Sequence, residues 1–160
     1  MRLYVVRHAH AGSRSSWDGP DETRPLTNRG RRQSDAIASE LRAAGVTRLA
    51  SSPYRRCTQT LDPLGAMLGI RVEADERLAE GAGGEQALAL ADELRKEHEA
   101  AVVCSHGDVI PELLRILKAT TARFRDPFIW PKASTWVVTW NGDRWSKARY
   151  IAPPELSDHR

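Results

Sequence analysis

The sequence predicts a three-layer α/β/α sandwich around a mostly parallel, mixed sheet of about six strands. Three observations carry this. Two short, unbroken apolar runs, Leu3-Tyr4-Val5-Val6 and Ala101-Val102-Val103-Cys104, have the composition of strands buried on both faces. Stretches with apolar residues at helical spacing alternate with such runs. Near the end, Asn141-Gly142 separates two β-rich runs, Ser134 to Trp140 and Arg144 to Ile151, the pattern of an antiparallel hairpin. Strand and helix alternation ahead of a terminal hairpin gives the layered architecture.

Taken in order, the first strand leads into a loop over residues 11–25 that is dense in Gly, Ser, Asp and Pro. Thr27 is a good N-cap for a helix through Ile37 and Leu41 that ends at Gly45. Arg48-Leu49-Ala50 reads as a short second strand. Ser52-Pro53 then reads as N-cap and first turn of the next helix, which Pro63 should kink or restart with Asp62 as a new cap. Ile70-Arg71-Val72 is a weak third strand. Glu85 to His98 is helical, with Leu88, Ala91 and Leu94 on one stripe, and Val109 to Leu117 is apolar at helical spacing after the fourth strand. One domain over residues 1–151 is expected, with 152–160 as a loose tail.

Composition narrows the function classes. The 160 residues suit one ordinary core and are too few for a barrel of eight β/α units or a two-domain dehydrogenase. Net charge is +3, yet residues 1–56 hold eleven Arg against five acids. Arg grips phosphate and carboxylate with a planar fork, so this bias favours an anionic ligand. A codon bias toward Arg explains the composition but not the clustering. Cys57 and Cys104 form neither a disulfide framework nor a zinc pattern, which fits a reducing compartment. The N-terminal residues have no long apolar stretch before charge returns; the expectation is a soluble, cytoplasmic protein with no signal peptide and no membrane association.

Ligands of open α/β sheets sit beyond the carboxyl ends of the strands, where helix N-termini also point. After the first strand come Arg7, His8 and His10; after the second, Ser51, Ser52, Arg55 and Arg56; after the fourth, Ser105, His106, Gly107 and Asp108. Two His and at least two Arg suit a phosphoryl group. The cationic forks would hold oxygens, one imidazole would attack phosphorus and the other would bind an equatorial oxygen.

Four segments in this order carry a resemblance: Arg7-His8-Ala9, Arg24-Pro25-Leu26-Thr27-Asn28-Arg29-Gly30, Ser52-Pro53-Tyr54-Arg55-Arg56-Cys57-Thr58-Gln59-Thr60 and Ser105-His106-Gly107. Together they resemble the histidine phosphatase superfamily, with its phosphoglycerate mutase-like fold, over roughly residues 2–140. The short length and the Arg-Pro-Leu-Thr segment look most like the small bacterial SixA-type phosphohistidine phosphatases. Ala11-Gly12-Ser13 and Ser134-Thr135-Trp136 also resemble the phosphatase domain that some bacteria fuse to a Nudix hydrolase domain.

The resemblance implies that His8 is the nucleophile, that Arg7 lies beside it on the phosphate, and that the pocket arginine is Arg56. Arg55 points about 100° away on the same helix and reads as a solvated charge. His106 matches the second histidine, with the Gly107 amide assisting at the helix start. Many members have Gly where this chain has Ala9. Leu78-Ala79-Glu80 matches the setting of the general acid, which SixA-type enzymes can lack, so Glu80 is the candidate proton donor, with an exposed loop glutamate as the alternative. His10 could rim the pocket or be a loop histidine. His98 reads as a helix-dipole partner, His159 as tail, Trp136 and Trp140 as sheet packing, and Trp17 as the one substrate-facing aromatic.

These positions imply two-step phosphoryl transfer through a covalent phosphohistidine, with no metal or cofactor. Short loops imply an open pocket, which can admit a phosphorylated side chain on another protein or a small phosphate ester. The resemblance to the SixA-type segments implies phosphohistidine in a protein as substrate, with small phosphate esters, nucleotide or sugar phosphates, as the alternative. Two rivals come from other classes. A metallohydrolase would use His8-Ala9-His10 and His106-Gly107-Asp108 as ligand pairs. An Arg-rich phosphate- or nucleic-acid-binding module without catalysis would lack the helix-turn-helix, zinc finger or aromatic platform such proteins carry, and no nucleic-acid partner is expected.

Overall fold

The computed structural model describes residues 1–120 and 123–156. Its chain order is β1 (Arg2–Arg7), α1 (Asn28–Leu41), β2 (Arg48–Ser51), α2 (Arg55–Leu68), β3 (Val72–Ala74), α3 (Gly84–Glu97), β4 (Ala100–Ser105), α4 (Val109–Thr120), β5 (Arg123–Phe124), β6 (Thr135–Trp140) and β7 (Trp145–Ile151). The seven strands lie in the order β3-β2-β4-β1-β6-β7-β5. β1, β2, β3 and β4 are parallel to their neighbours among themselves, while β6 is antiparallel to both β1 and β7. The seventh strand is β5, a two-residue pairing with β7 too short to leave a periodic signal.

Strand periodicity explains the layers. Leu3 and Val5 face one side with Ala101 and Val103, packing under α3 through Leu90 and Leu94 and under α4 through Ile110 and Leu114. Tyr4 and Val6 face the other with Val102 and Cys104, under α1 through Ile37 and Leu41 and α2 through Leu61 and Leu64. Trp136 is fully buried in the sheet, as expected, and Trp140 stacks under the Arg95 guanidinium at 3.6 Å.

Several boundaries move, each for a local reason. Thr27 caps α1 by accepting from the Gly30 N–H, but α1 ends at Leu41, and Gly45 turns the chain later with φ +75°. Ser52 does not cap a helix. Tyr54 precedes the first turn of α2 without a side-chain cap, and the Ser52 hydroxyl is used elsewhere. α2 runs unbroken through Pro63, because Leu61 and Leu64 are fully buried on either side of it and their packing outweighs the lost bond. β3 lies two residues later than expected. The hairpin turn is longer than Asn-Gly: Asn141 Oδ1 accepts from the amides of Asp143 and Arg144, Gly142 takes φ +99°, and the register shifts at Thr139/Trp140. Residues 152–156 continue without helix or strand, and the remainder of the expected tail, 157–160, lies outside the described residues. Among the described residues no helix is long and apolar enough to cross a membrane.

Candidate active site

The sheet order gathers the site. β2, β4 and β1 are adjacent and parallel, so the segments after Ser51, Ser105 and Arg7 emerge side by side, with Arg7 opposite Ser105 and Ser51 opposite Cys104. β6 runs the other way, with Thr135 opposite Val6. The segment before β6 therefore reaches the same edge and brings Trp130 and Lys132. A cavity of about 580 Å³ opens there, lined by Arg7, His8, Arg56, Glu80, Gly107 and Lys132 among others.

His8 is 5% exposed, and its Nδ1 stands 2.8 Å from the Ala9 carbonyl oxygen. A carbonyl only accepts, so Nδ1 carries the proton and Nε2 keeps its lone pair. Burial pushes the His8 pKa down to about 3; the Ala9 bond opposes this, and His106, Arg56 and Arg7 add to it. The ring is neutral at physiological pH. The Ala9 amide donates to Thr60 Oγ1 at 2.9 Å, and Thr60 in turn donates to the Arg56 carbonyl, so the methyl at position 9 is absorbed in a fully buried site that ties the loop after β1 to α2.

His106 is 1% exposed, its ring centroid 5.5 Å from that of His8. Its Nε2 is 2.8 Å from Ser52 Oγ and 3.5 Å from Cys57 Sγ, while its buried Nδ1 has no protein partner. Ser52 Oγ already accepts from the Tyr54 amide at 3.2 Å. A Ser52 hydroxyl that donates to His106 Nε2 leaves the ring proton on Nδ1, whereas one that accepts there, through its second lone pair, leaves it on Nε2. The Tyr54 ring packs edge-on against His106 at 4.8 Å.

The two expected phosphate-site arginines are held differently. Arg7 donates to the Trp130 carbonyl at 3.0 Å and lies flat on Gly107; a Cβ there would stand 2.7 Å from Arg7 Cζ, so only glycine allows the approach. Arg56 is 1% exposed and donates to the Asp21 carbonyl oxygen and to Asp21 Oδ2, each at 3.0 Å, and to Glu80 Oε1 at 3.4 Å. Its Nε is buried and has no protein partner. Arg55 is exposed, as expected.

Glu80 also accepts from Arg14 at 2.8 Å. Its loop is pinned from the β4 side: Ser105 Oγ donates to the Leu78 carbonyl at 2.7 Å, and Asp108 Oδ2 accepts from the Gly81 amide at 2.8 Å. Glu80 is thus a pocket-lining residue rather than a free loop charge.

Other expectations resolve away from the pocket. His10 Nδ1 bonds to Thr27 Oγ1 at 2.7 Å, and its carbonyl packs so tightly on α1 that a Cβ at Gly30 would lie 2.0 Å from the oxygen. That contact explains the glycine of the Arg29-Gly30 pair. His98 closes α3 and bonds to Thr47 Oγ1 at 2.8 Å. Among the described residues no three His, Cys, Asp or Glu side chains converge as a metal-ligand group. Of the two ligand pairs of the metallohydrolase rival, His8 and His106 lie side by side, while His10 is bound to Thr27 and Asp108 to the Gly81 amide. His159 lies outside the described residues.

The contacts of several residues at the site were not legible in the sequence. Asp21 receives Arg24 at 2.9 Å, Arg56 at 3.0 Å and Arg14 at 3.1 Å. Burial raises its pKa, but the bonds from Arg24 and Arg56 outweigh this and hold the carboxyl below its usual range. Arg24 is buried and clamps the Ala11 and Gly12 carbonyls at 2.8 and 3.1 Å. Ser52 was read as a helix cap. Lys132 precedes a strand, and only the antiparallel direction of β6 brings it here. Burial, then Arg7, Arg24 and Arg56, hold the pKa of its ammonium below the usual value.

The sequence profile of the histidine phosphatase superfamily (branch 1) matches residues 3–87, just over half of the chain. The chain belongs to the histidine phosphatase superfamily. An 8-oxo-(d)GTP phosphatase from Mycolicibacterium smegmatis is 33% identical over 163 residues, covering 96% of this chain and 48% of that protein. The chain therefore spans about half the length of this relative. Among solved structures, the protein histidine phosphatase SixA complexed with tungstate superposes with a TM-score of 0.75 at 21% identity over 95% of both chains. YhfR of Bacillus stearothermophilus superposes with a TM-score of 0.73 at 17% identity over 98% of both. At these identities the superpositions establish the phosphoglycerate mutase-like sandwich of this superfamily, and the fold expected from the sequence is the one observed.

Proposed function

We propose that residues 1–151 form one catalytic domain, a phosphatase that passes the phosphoryl group through a covalent phosphohistidine on His8 and acts on small phosphate esters of the nucleotide class. The observation that carries the chemistry is the fixed tautomer of His8, a neutral imidazole whose free Nε2 lines a cationic pocket. In the first step Nε2 attacks phosphorus in line and the bond to the leaving oxygen breaks. In the second, water attacks the phosphohistidine and releases phosphate and the free imidazole. Arg7, Arg56, the Nδ1–H of His106 and the Gly107 amide hold the equatorial oxygens, where positioning and charge stabilisation supply most of the rate. Glu80, beside Arg56, protonates the leaving oxygen where that is an alkoxide, as in a phosphate monoester; the phosphate that leaves from a diphosphate needs less help.

The small-ester reading draws support from the 33% identical relative, whose described substrate is a nucleotide. It draws further support from charge. One phosphoryl group is served by Arg7 and Arg56, yet Lys132 also lines the cavity, and among the described residues no carboxylate lies within ion-pair distance of it. This cation, beyond Arg7, Arg56 and the carboxylate-paired Arg14 and Arg24 that also line the cavity, suits a second anionic group, which a diphosphate supplies and a phosphohistidine side chain does not. Protein phosphohistidine is the second reading, supported by the fold shared with the protein histidine phosphatase SixA.

The test is an acid-labile ³²P trap on wild type and His8→Ala with guanosine diphosphate, a sugar phosphate and a phosphohistidine peptide. Label on wild type that is absent from His8→Ala, with the nucleotide turned over fastest, is the expected result. Full turnover by His8→Ala would overturn the mechanism, and a preference for the peptide would overturn the substrate class.

A further inference from the structure

A second cavity of about 210 Å³ adjoins the phosphate pocket, and Gly12 and Arg24 line both. One wall is the Trp17 side chain, and Pro25, Leu26 and the serines at 13 and 16 complete it. The placement of this tryptophan is unusual for the chain. Trp136 is wholly buried, whereas Trp17 is half-buried in a segment, 13–20, that contains no buried residue. Core packing does not explain a large aromatic there.

The indole is nonetheless held. Its Nε1 donates to the Pro20 carbonyl at 3.1 Å and lies 3.4 Å from Thr23 Oγ1. Gly19 packs so closely that a Cβ there would approach Nε1 to 3.3 Å. The polar edge of the ring is therefore spent on the turn. A pinned, half-exposed ring loses little entropy when a flat partner stacks on it. The floor between the two cavities is also rigid, because Arg24 donates to the Ala11 and Gly12 carbonyls and to Asp21.

We propose that this second cavity is a base-binding subsite, in which the purine of a nucleotide stacks on Trp17 while its phosphate chain passes Gly12 and Arg24 to reach His8. The proposal deepens the small-ester reading above and rests on it. The hydroxyls of Ser13 and Ser16, on the exposed rim, are engaged in the turn, Ser16 donating to the Ser13 carbonyl at 3.1 Å and Ser13 accepting from the Ser15 amide at 3.2 Å, and Ser16 keeps acceptor lone pairs for the donor edge of a base. Stacking on an aromatic side chain is tolerant of which base is bound, so the subsite selects for a planar ring rather than for one nucleotide.

The test compares kcat/KM for guanosine diphosphate with that for glycerol phosphate, which has no ring, in wild type, Trp17→Leu and Trp17→Phe. In Trp17→Leu the ratio of the two is expected to fall about 10- to 100-fold, mainly through KM for the nucleotide. In Trp17→Phe it should return to within a few-fold of wild type. An equal loss on both substrates, or Phe performing no better than Leu, would overturn the subsite. Calorimetric titration of guanosine diphosphate into His8→Ala, with and without Trp17→Leu, keeps the two claims apart because it needs no turnover. Binding that depends on Trp17 supports the subsite even if the phosphoenzyme trap fails, and binding indifferent to Trp17 overturns it even if the trap succeeds.

Discussion

Asp21 holds Arg56 twice, accepting through its backbone carbonyl and through Oδ2, each at 3.0 Å, although the two residues are 35 positions apart. The same carboxylate receives Arg24 and Arg14, so one anion from the loop after β1 organises three guanidinium groups. Replacing Asp21 by Ala leaves the buried Arg56 largely uncompensated, and the expected loss is about 3 kcal/mol of stability. Inorganic phosphate should then raise the melting temperature of Asp21→Ala by more than that of wild type, because the ligand replaces the missing anion on Arg56. Equal shifts in calorimetry would show that phosphate does not reach this arginine.

The depressed pKa of His8, about 3, has two pH consequences. Phosphoenzyme formation should not decline through His8 protonation between pH 7 and 5, as quenched-flow trapping across that range would reveal. Stability responds differently. The unfolded chain protonates His8 near pH 6.5 while the folded chain does not until about pH 3, so the unfolded state binds more protons between these values and stability falls as pH drops through that window. The Asp21 carboxyl, also depressed, acts in the same direction. His8→Gln should flatten the slope of melting temperature against pH from 6 to 4.

In the proposed mechanism Glu80 protonates the leaving group. Glu80→Gln should slow alkyl phosphates about 10²- to 10⁴-fold. A phosphohistidine peptide, whose imidazole departs with less help, should be slowed far less. Comparable slowing of both substrates in steady-state assays would remove the proton-donor role and leave Glu80 as a partner of Arg14 and Arg56.

The proposed Nδ1–H tautomer of His106 requires Ser52 to donate to Nε2 from behind. In Ser52→Ala the imidazole loses the contact at 2.8 Å, and kcat should fall about 10-fold with little change in KM, since the oxygen-binding edge is lost mainly in the transition state. Ser52→Thr, which keeps the hydroxyl, should recover most of the activity. Failure of the threonine variant alongside a fully folded circular dichroism spectrum would argue against the tautomer assignment.

Much of this molecule was readable before folding. The buried strands announced themselves because both faces must be apolar, and the helix after Thr27 because capping chemistry is local. The convergence of His8, Arg56 and His106 followed from a topological rule, since each comes just after a parallel strand. The same rule hid Lys132 and Trp130, which come before β6 and reach the site only because that strand is antiparallel. Pro63 misled because a local penalty was weighed without the burial of Leu61 and Leu64 around it.

Partner choice was the part that sequence could not hold. Asp21 looked like one more acid in a polar loop, and Ser52 like a helix cap, because a carboxylate or hydroxyl has no preferred partner along the chain. Residue type and spacing determined the fold class, the strand ends and the chemical inventory, all of which depend on neighbours within a few turns. Only the tertiary structure decided that Asp21 would sit on Arg56 and Ser52 on His106. Those contacts are set by through-space distances of 2.8 to 3.0 Å between groups far apart in the chain, which the pairing of β2 with β4 and the path of the loop after β1 bring together.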